Sequence, residues 1–130
     1  MKIHKSIIDM FIRLKNSSKS YKKYALVTKT KQNIKLLNLL YKEGYILGYS
    51  FFNNDKNIII VFLKYKKNEP LIKNINFISK LNKKNTYTVK LLLQQKNNTS
   101  LYILLTNKGY ISSTLSKLNN IGGQLICQIN

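Results

Sequence analysis

Few side chains in this chain can do acid–base or metal chemistry, and they are scattered. There is one histidine, His4, one cysteine, Cys127, and four acids, Asp9, Glu43, Asp55 and Glu69. General acid–base catalysis needs positioned groups converging on one reacting atom. No two of these carboxylates have helical spacing, and Asp9, Glu43 and Asp55 fall at a helix start, a helix stop and a turn. One His and one Cys cannot complete a zinc site of ordinary denticity. The glycines form neither a GxGxxG fingerprint nor a P-loop. Ser112 and Ser113 lack a base partner and read as helix capping. The chain therefore reads as non-enzymatic, with no metal and no cofactor. A lone cysteine excludes an internal disulfide, and in an alternating strand Cys127 reads as a small buried residue.

Residues 106–124 carry a different chemistry. Thr106 and Asn107 offer short neutral groups that donate and accept. Gly109 permits a positive φ, and Gly122 and Gly123 let something approach the main chain closely. Such a surface suits RNA, whose 2′-hydroxyls and base edges lie in a shallow groove. The charge points the same way. Twenty-three basic residues against four acidic ones leave +19. Self-repulsion on that scale opposes compaction, and a polyanionic partner, most often nucleic acid, explains it. Arg13 is the single arginine, so phosphate neutralisation falls to lysines, which are point charges without a bidentate fork. They supply affinity and orientation. Specificity is left to Thr106, Asn107, Lys108, Gly109, Gly122, Gly123 and Gln124. No apolar run approaches the roughly 20 residues of a membrane-spanning helix, and no secretory or transit segment is visible.

The elements that must position these groups form an α+β chain. Its 130 residues, 44% hydrophobic, suffice to bury about two-thirds of the unfolded surface. Ser6, with Asp9 in the first turn, reads as the cap of a first helix. Ile7, Ile8, Phe11, Ile12 and Leu14 form its apolar stripe. It is expected to end near Asn16, Ser17 and Ser18, with Arg13, Lys15 and Asn16 in the last turn as cations for the helix dipole or contacts for phosphate. A basic link follows at residues 19–23, then a strand at 24–28. Thr30 caps a second helix running to about Lys42, and Gly44 stops it. Lys29 and Lys31 flank that cap, where backbone N–H groups favour phosphate. Residues 46–52 and the continuous apolar run within 57–65 read as a hairpin turned at Asn53, Asn54 and Asp55.

The only proline, Pro70, and a change of composition mark a boundary at residues 66–70. The expected lobes are therefore residues 1–66, ordered helix–strand–helix–strand–strand, and residues 67–130, mostly β with one short helix. In the second lobe, residues 71–79 read as a strand and 80–85 as a loop carrying Lys83 and Lys84. Tyr87 reads as a core ring with a wet hydroxyl or a base-stacking one. Residues 89–95 read as a short helix or turn. Residues 106–123 read as tight turn, short helix and glycine pair, between strands at 101–105 and 125–129.

These motifs resemble the bacterial-type small-subunit ribosomal protein eight (uS-eight) family. Its C-terminal pattern is an apolar strand, Ser-Thr-Ser-x-Gly, an apolar residue, Met-Thr, a short helix, Gly-Gly-Glu and a final strand. Leu105-Thr106-Asn107-Lys108-Gly109, Ile111-Ser112-Ser113 and Ile121-Gly122-Gly123-Gln124-Leu125-Ile126-Cys127 stand for it here. Asn107 replaces a serine and Gln124 an acid. The sequence DMFIRLKN at residues 9–16 matches the family's Asp-Met-x-x-Arg-x-Arg-Asn, with Lys15 for the second arginine. Lys5-Ser6 stands in place of the usual Asp-Pro. Gly44-Tyr45-Ile46 matches the family's Gly-Tyr-Ile, while the Pro-Gly expected near Lys83 is missing.

The resemblance implies a structural protein of the small ribosomal subunit. It would bind the central domain of small-subunit rRNA, contact neighbouring ribosomal proteins and help that domain assemble. It also implies the RNA-contacting set: Lys5, Arg13, Lys15, Asn16, Lys29, Thr30, Lys31, Lys83, Lys84 and Tyr87, with the C-terminal residues named above. A general basic nucleic-acid-binding or DNA-packaging protein is the alternative, but it leaves the glycine-defined surface without a role. Over-use of Lys, Asn, Ile and Tyr suggests an AT-rich coding sequence. It points to an organellar ribosome, first the mitochondrial matrix, with a plastid or an AT-rich bacterial cytoplasm as alternatives.

Overall fold

The computed structural model describes residues 5–52, 57–77, 86–87 and 101–130. The chain falls into two compact units, His4–Asn74 and Ile75–Asn130.

The first unit builds its core between two helices and a sheet. Helix α1, Lys5–Lys19, buries Ile7, Met10, Phe11, Leu14 and Ser18, a run at the three-to-four spacing of one helical face. The helix is already formed at Lys5, so Ser6 lies inside its first turn and does not cap it, and no acid occupies that turn. Nor does it stop at Asn16–Ser18. Lys22 N–H reaches the Ser17 carbonyl and Tyr21 N–H the Ser18 carbonyl, both at 3.1 Å, with Tyr21 left-handed at φ 57°. That is a Schellman closure, and it extends the helix through Lys19. Arg13 and Lys15 thus sit before the last turn, whose cation is Lys19.

Strand β1, Tyr24–Thr28, leads to helix α2, Lys31–Lys42. Thr30 caps α2 as expected, its side chain accepting from Asn33 N–H at 3.1 Å. The buried Asn33 amide donates to the Thr28 carbonyl at 2.8 Å, tying the helix start to β1. Gly44, at φ 81°, ends α2, with Tyr45 N–H on the Leu40 carbonyl. Strands β2, Ile46–Phe51, and β3, Ile58–Leu63, complete an antiparallel sheet ordered β1-β3-β2. One face carries the buried Ala25, Val27, Ile46, Ile59, Val61 and Leu63. Helix α1 packs on β1 and α2 on β2. Replacing Thr30 by alanine is expected to lower stability by about 1 kcal/mol. A lower urea midpoint at unchanged m-value would register it.

The stretch read as a boundary is itself a small hairpin, β4 Tyr65–Lys66 paired with β5 Glu69–Pro70. Lys67 and Asn68 turn it with φ of 52° and 63°, the two positive angles of a tight hairpin turn. The first unit continues past it to Asn74.

In the second unit the central strand is β10, Gly123–Ile129. It pairs antiparallel with β8, Leu101–Thr106, and with two short strands, β6 Ile75–Phe77 and β7 Thr86–Tyr87. Strand β9, Gly109–Ser112, returns along β8. Helix α3, Ser113–Asn119, packs on β8 and β9. Leu101, Ile103, Leu104, Leu125, Ile126, Cys127 and Ile129 are buried. Of the strand expected at 71–79, only Ile75–Phe77 is strand among the described residues, where it pairs with Cys127–Ile129 of β10; Leu71–Asn74 lacks the two-residue alternation of a half-buried strand. The expected turn at 53–55, loop at 80–85 and element at 89–95 lie outside the described residues. Among the described residues no helix is long and apolar enough to cross a membrane.

Candidate nucleic-acid interface

The polar turn of the second unit is held by its own threonine. Thr106 Oγ1 donates to the Gly109 carbonyl at 3.0 Å and accepts from Lys108 N–H at 3.1 Å. Gly109 takes φ 99° with open space around it. Asn107 and Lys108 at the tip are exposed. The sequence suggested that something lies close to the Gly122–Gly123 main chain, and at Gly123 that something is this hairpin. A Cβ on Gly123 would fall 2.5 Å from the Leu105 carbonyl oxygen and 2.7 Å from Thr106 Cγ2. Strand register sets Gly123 opposite Tyr87, and Gln124 between Thr86 and Leu105. Thr106, Gly109, Gly123, Gln124 and the backbone of Tyr87 thus meet at one end of the sheet. Gln124 is buried there, only 9% exposed, while Gly122 stays exposed.

The serines beside this surface are structural. Ser112 caps α3, accepting from Leu115 N–H at 3.3 Å. Ser113 accepts from Tyr102 N–H at 3.3 Å and so ties the helix to β8 instead of capping it. Ser116, fully buried, donates to the Ile121 carbonyl. Asn120, left-handed at φ 55°, ends the helix.

In the first unit, Arg13 and Asn16 line a cleft of about 640 Å³ together with Ser17, Lys22 and Lys23. Arg13 Nε donates to Asp9 at 3.1 Å, an exposed i,i+4 pair, and Nη1 reaches the Leu26 carbonyl at 3.4 Å. These contacts orient the guanidinium, whose planar fork has further donors for an anion. Lys15 is half-buried on the same helix, and Lys5 is exposed at its first turn. Lys29 is held over the Phe51 ring, 4.5 Å from its centroid, a cation–π contact beside the Thr30 cap. Lys31 is exposed at the first residue of α2. Lys83 and Lys84 lie outside the described residues.

Sequence reasoning did not single out Lys22, Lys23 or Tyr21 as site residues. Tyr21 and Tyr65 stack, ring centroids 5.9 Å apart and planes 16° from parallel. Tyr65 Oη donates to the Lys22 carbonyl. The signal available was Tyr21-Lys22-Lys23-Tyr24, two lysines bracketed by aromatics immediately after a helix.

The fold and the charge define a small, strongly basic α+β protein. A family model described as "Ribosomal protein S8" matches residues 5–130. The chain is 29% identical to the small ribosomal subunit protein uS8 of Alcanivorax borkumensis over the whole of both chains. It is 33% identical to that of Brucella ovis over 99% of each chain, and 31% identical to that of Rhizobium rhizogenes over 93% of each. The chain belongs to the ribosomal protein S8 family, a family of structural, non-enzymatic ribosomal proteins.

Proposed function

We propose that this chain is a structural constituent of the small ribosomal subunit that binds the central domain of the small-subunit rRNA and supports its assembly. The observation that carries the reading is the approach of the Thr106–Gly109 turn to Gly123. It gathers hydroxyl, amide and backbone groups on a glycine-defined surface suited to 2′-hydroxyls and base edges. In this reading Thr106, Asn107, Lys108, Gly109, Gly122 and Gly123 face the RNA, the buried Gln124 supports that surface from within, and Tyr87, Lys83 and Lys84 add further RNA contacts. Arg13, Lys15 and Asn16, with Lys5, Lys29, Thr30 and Lys31, bring the first unit onto phosphates. The Lys, Asn, Ile and Tyr bias supports an organellar, first a mitochondrial, ribosome.

Binding to a central-domain rRNA fragment and to a scrambled hairpin of equal length tests the reading. At moderate salt the chain is expected to prefer the fragment, and Thr106→Ala/Asn107→Ala to lose that preference while retaining lysine-driven affinity. Thr106→Ala also removes both turn bonds, so the variant's melting temperature is followed in parallel. Equal binding of both RNAs by the unaltered chain would leave a general basic nucleic-acid binder.

A further inference from the structure

Tyr21 sits where its chemistry is least expected. It is the C′ residue of α1 at φ 57°, a place that favours glycine or asparagine because a Cβ is crowded there. The residue is 62% exposed, so burial does not explain it either. What the position does provide is a presented aromatic face. Tyr65 backs the ring in a near-parallel stack at 5.9 Å. The Tyr65 hydroxyl is tied to the Lys22 carbonyl, which fixes the backbone just beyond Tyr21. The next two residues, Lys22 and Lys23, line the cleft that also holds Arg13 and Asn16. The acid bonded to Arg13 there is Asp9.

An exposed aromatic ring stacked on a second one and followed in the chain by two lysines that line a cationic cleft has the make-up of a single-strand nucleic-acid platform. Every base has a π-face to stack, and the adjoining phosphates seek the cations. We propose that Tyr21, supported by Tyr65, stacks on an unpaired RNA base whose flanking phosphates lie at Lys22, Lys23 and Arg13. This rests on the reading that the chain binds RNA. It adds a base contact in the first unit, whose other assigned groups act on phosphate.

The test uses the full chain and the central-domain rRNA fragment, titrated at several salt concentrations. Tyr21→Gly and Tyr21→Asn both suit the left-handed backbone, so their melting temperatures are expected to match or exceed the original. Both are expected to lose about ten-fold or more in affinity, with an unchanged slope of log K against log salt. Tyr21→Phe keeps the ring and is expected to keep the affinity. Lys22→Ala/Lys23→Ala is expected instead to flatten the slope by roughly two. If Tyr21→Gly and Tyr21→Asn bind as tightly as the unaltered chain, the proposal is overturned. A fall in melting temperature with affinity intact would make the pair a structural clamp only. Should the unaltered chain bind a scrambled hairpin equally well, the central-domain reading fails, while the Tyr21 comparison still decides this one.

Discussion

An alanine at position 123 is expected to destabilise the second unit by about 1–3 kcal/mol, the ordinary range for forcing atoms into a filled space. The added methyl would meet the Leu105 carbonyl oxygen at 2.5 Å and Thr106 Cγ2 at 2.7 Å. The first contact is with backbone, which cannot swing aside as a long side chain does. Relief requires β10 and β8 to part where Gln124 faces Leu105, so the strain falls on the Thr106–Gly109 turn. Urea denaturation should show a lower midpoint. Amide exchange at residues 105–109 should rise more than in the first unit. Gly109→Ala is the informative contrast. It has open space but φ 99°, so any penalty there is conformational rather than steric. Wild-type stability in Gly123→Ala would remove close packing as the reason for that glycine.

Alkaline pH is expected to weaken the fold through one thiol. Cys127 is fully buried in β10, and burial pushes its pKa up from 9.0 to about 12. The sign follows from proton binding. Above pH 9 the unfolded thiol loses its proton while the folded one keeps it, so the unfolded state gains. The stability conferred by the neutral thiol is complete below pH 9 and is lost as pH rises through the interval up to about 12. The slope is about 1.4 kcal/mol per pH unit. Lysines and tyrosines titrate in the same range, so the measurement is a difference. The gap in unfolding free energy between the native chain and Cys127→Ala should narrow by roughly 2 kcal/mol between pH 8 and pH 10.5. A constant gap would mean that water reaches the sulfur. Below pH 9 the buried neutral thiol should also resist alkylation until the protein unfolds.

The parts legible in the sequence were those with a local physical signature. Thr30 and Gly44 bracketed α2 because a capping hydroxyl and a left-handed glycine act within one turn. Tyr24–Thr28 and the run within 57–65 were legible as short, largely apolar runs bounded by polar residues. The end of α1 was not. Ser17 and Ser18 look like terminators, yet Ser18 is buried at 2% exposure, and the closure comes from Tyr21, a residue with no intrinsic preference for a left-handed turn. Likewise Gly123 could be recognised as a point of close approach, but not what approached it. That depends on the register of β10 against β8, a pairing across some twenty residues that no local pattern encodes. The tyrosine pair is longer-range still, joining the end of α1 to the β4 hairpin.

The place of β10 in its sheet has a temporal consequence. Strands β6, β7 and β8 all pair with β10, yet it comes after all three in the chain. During vectorial synthesis residues 5–74 can complete their sheet and helices as soon as they emerge. Strands β8 and β9 can pair with each other first, but β6, β7 and the other side of β8 meet β10 only when residues 123–129 arrive. Such non-local closure is intrinsically slow and leaves strand edges open to wrong partners. An interruption of translation within the last turns of α3 would therefore yield a folded first unit joined to an unfinished sheet.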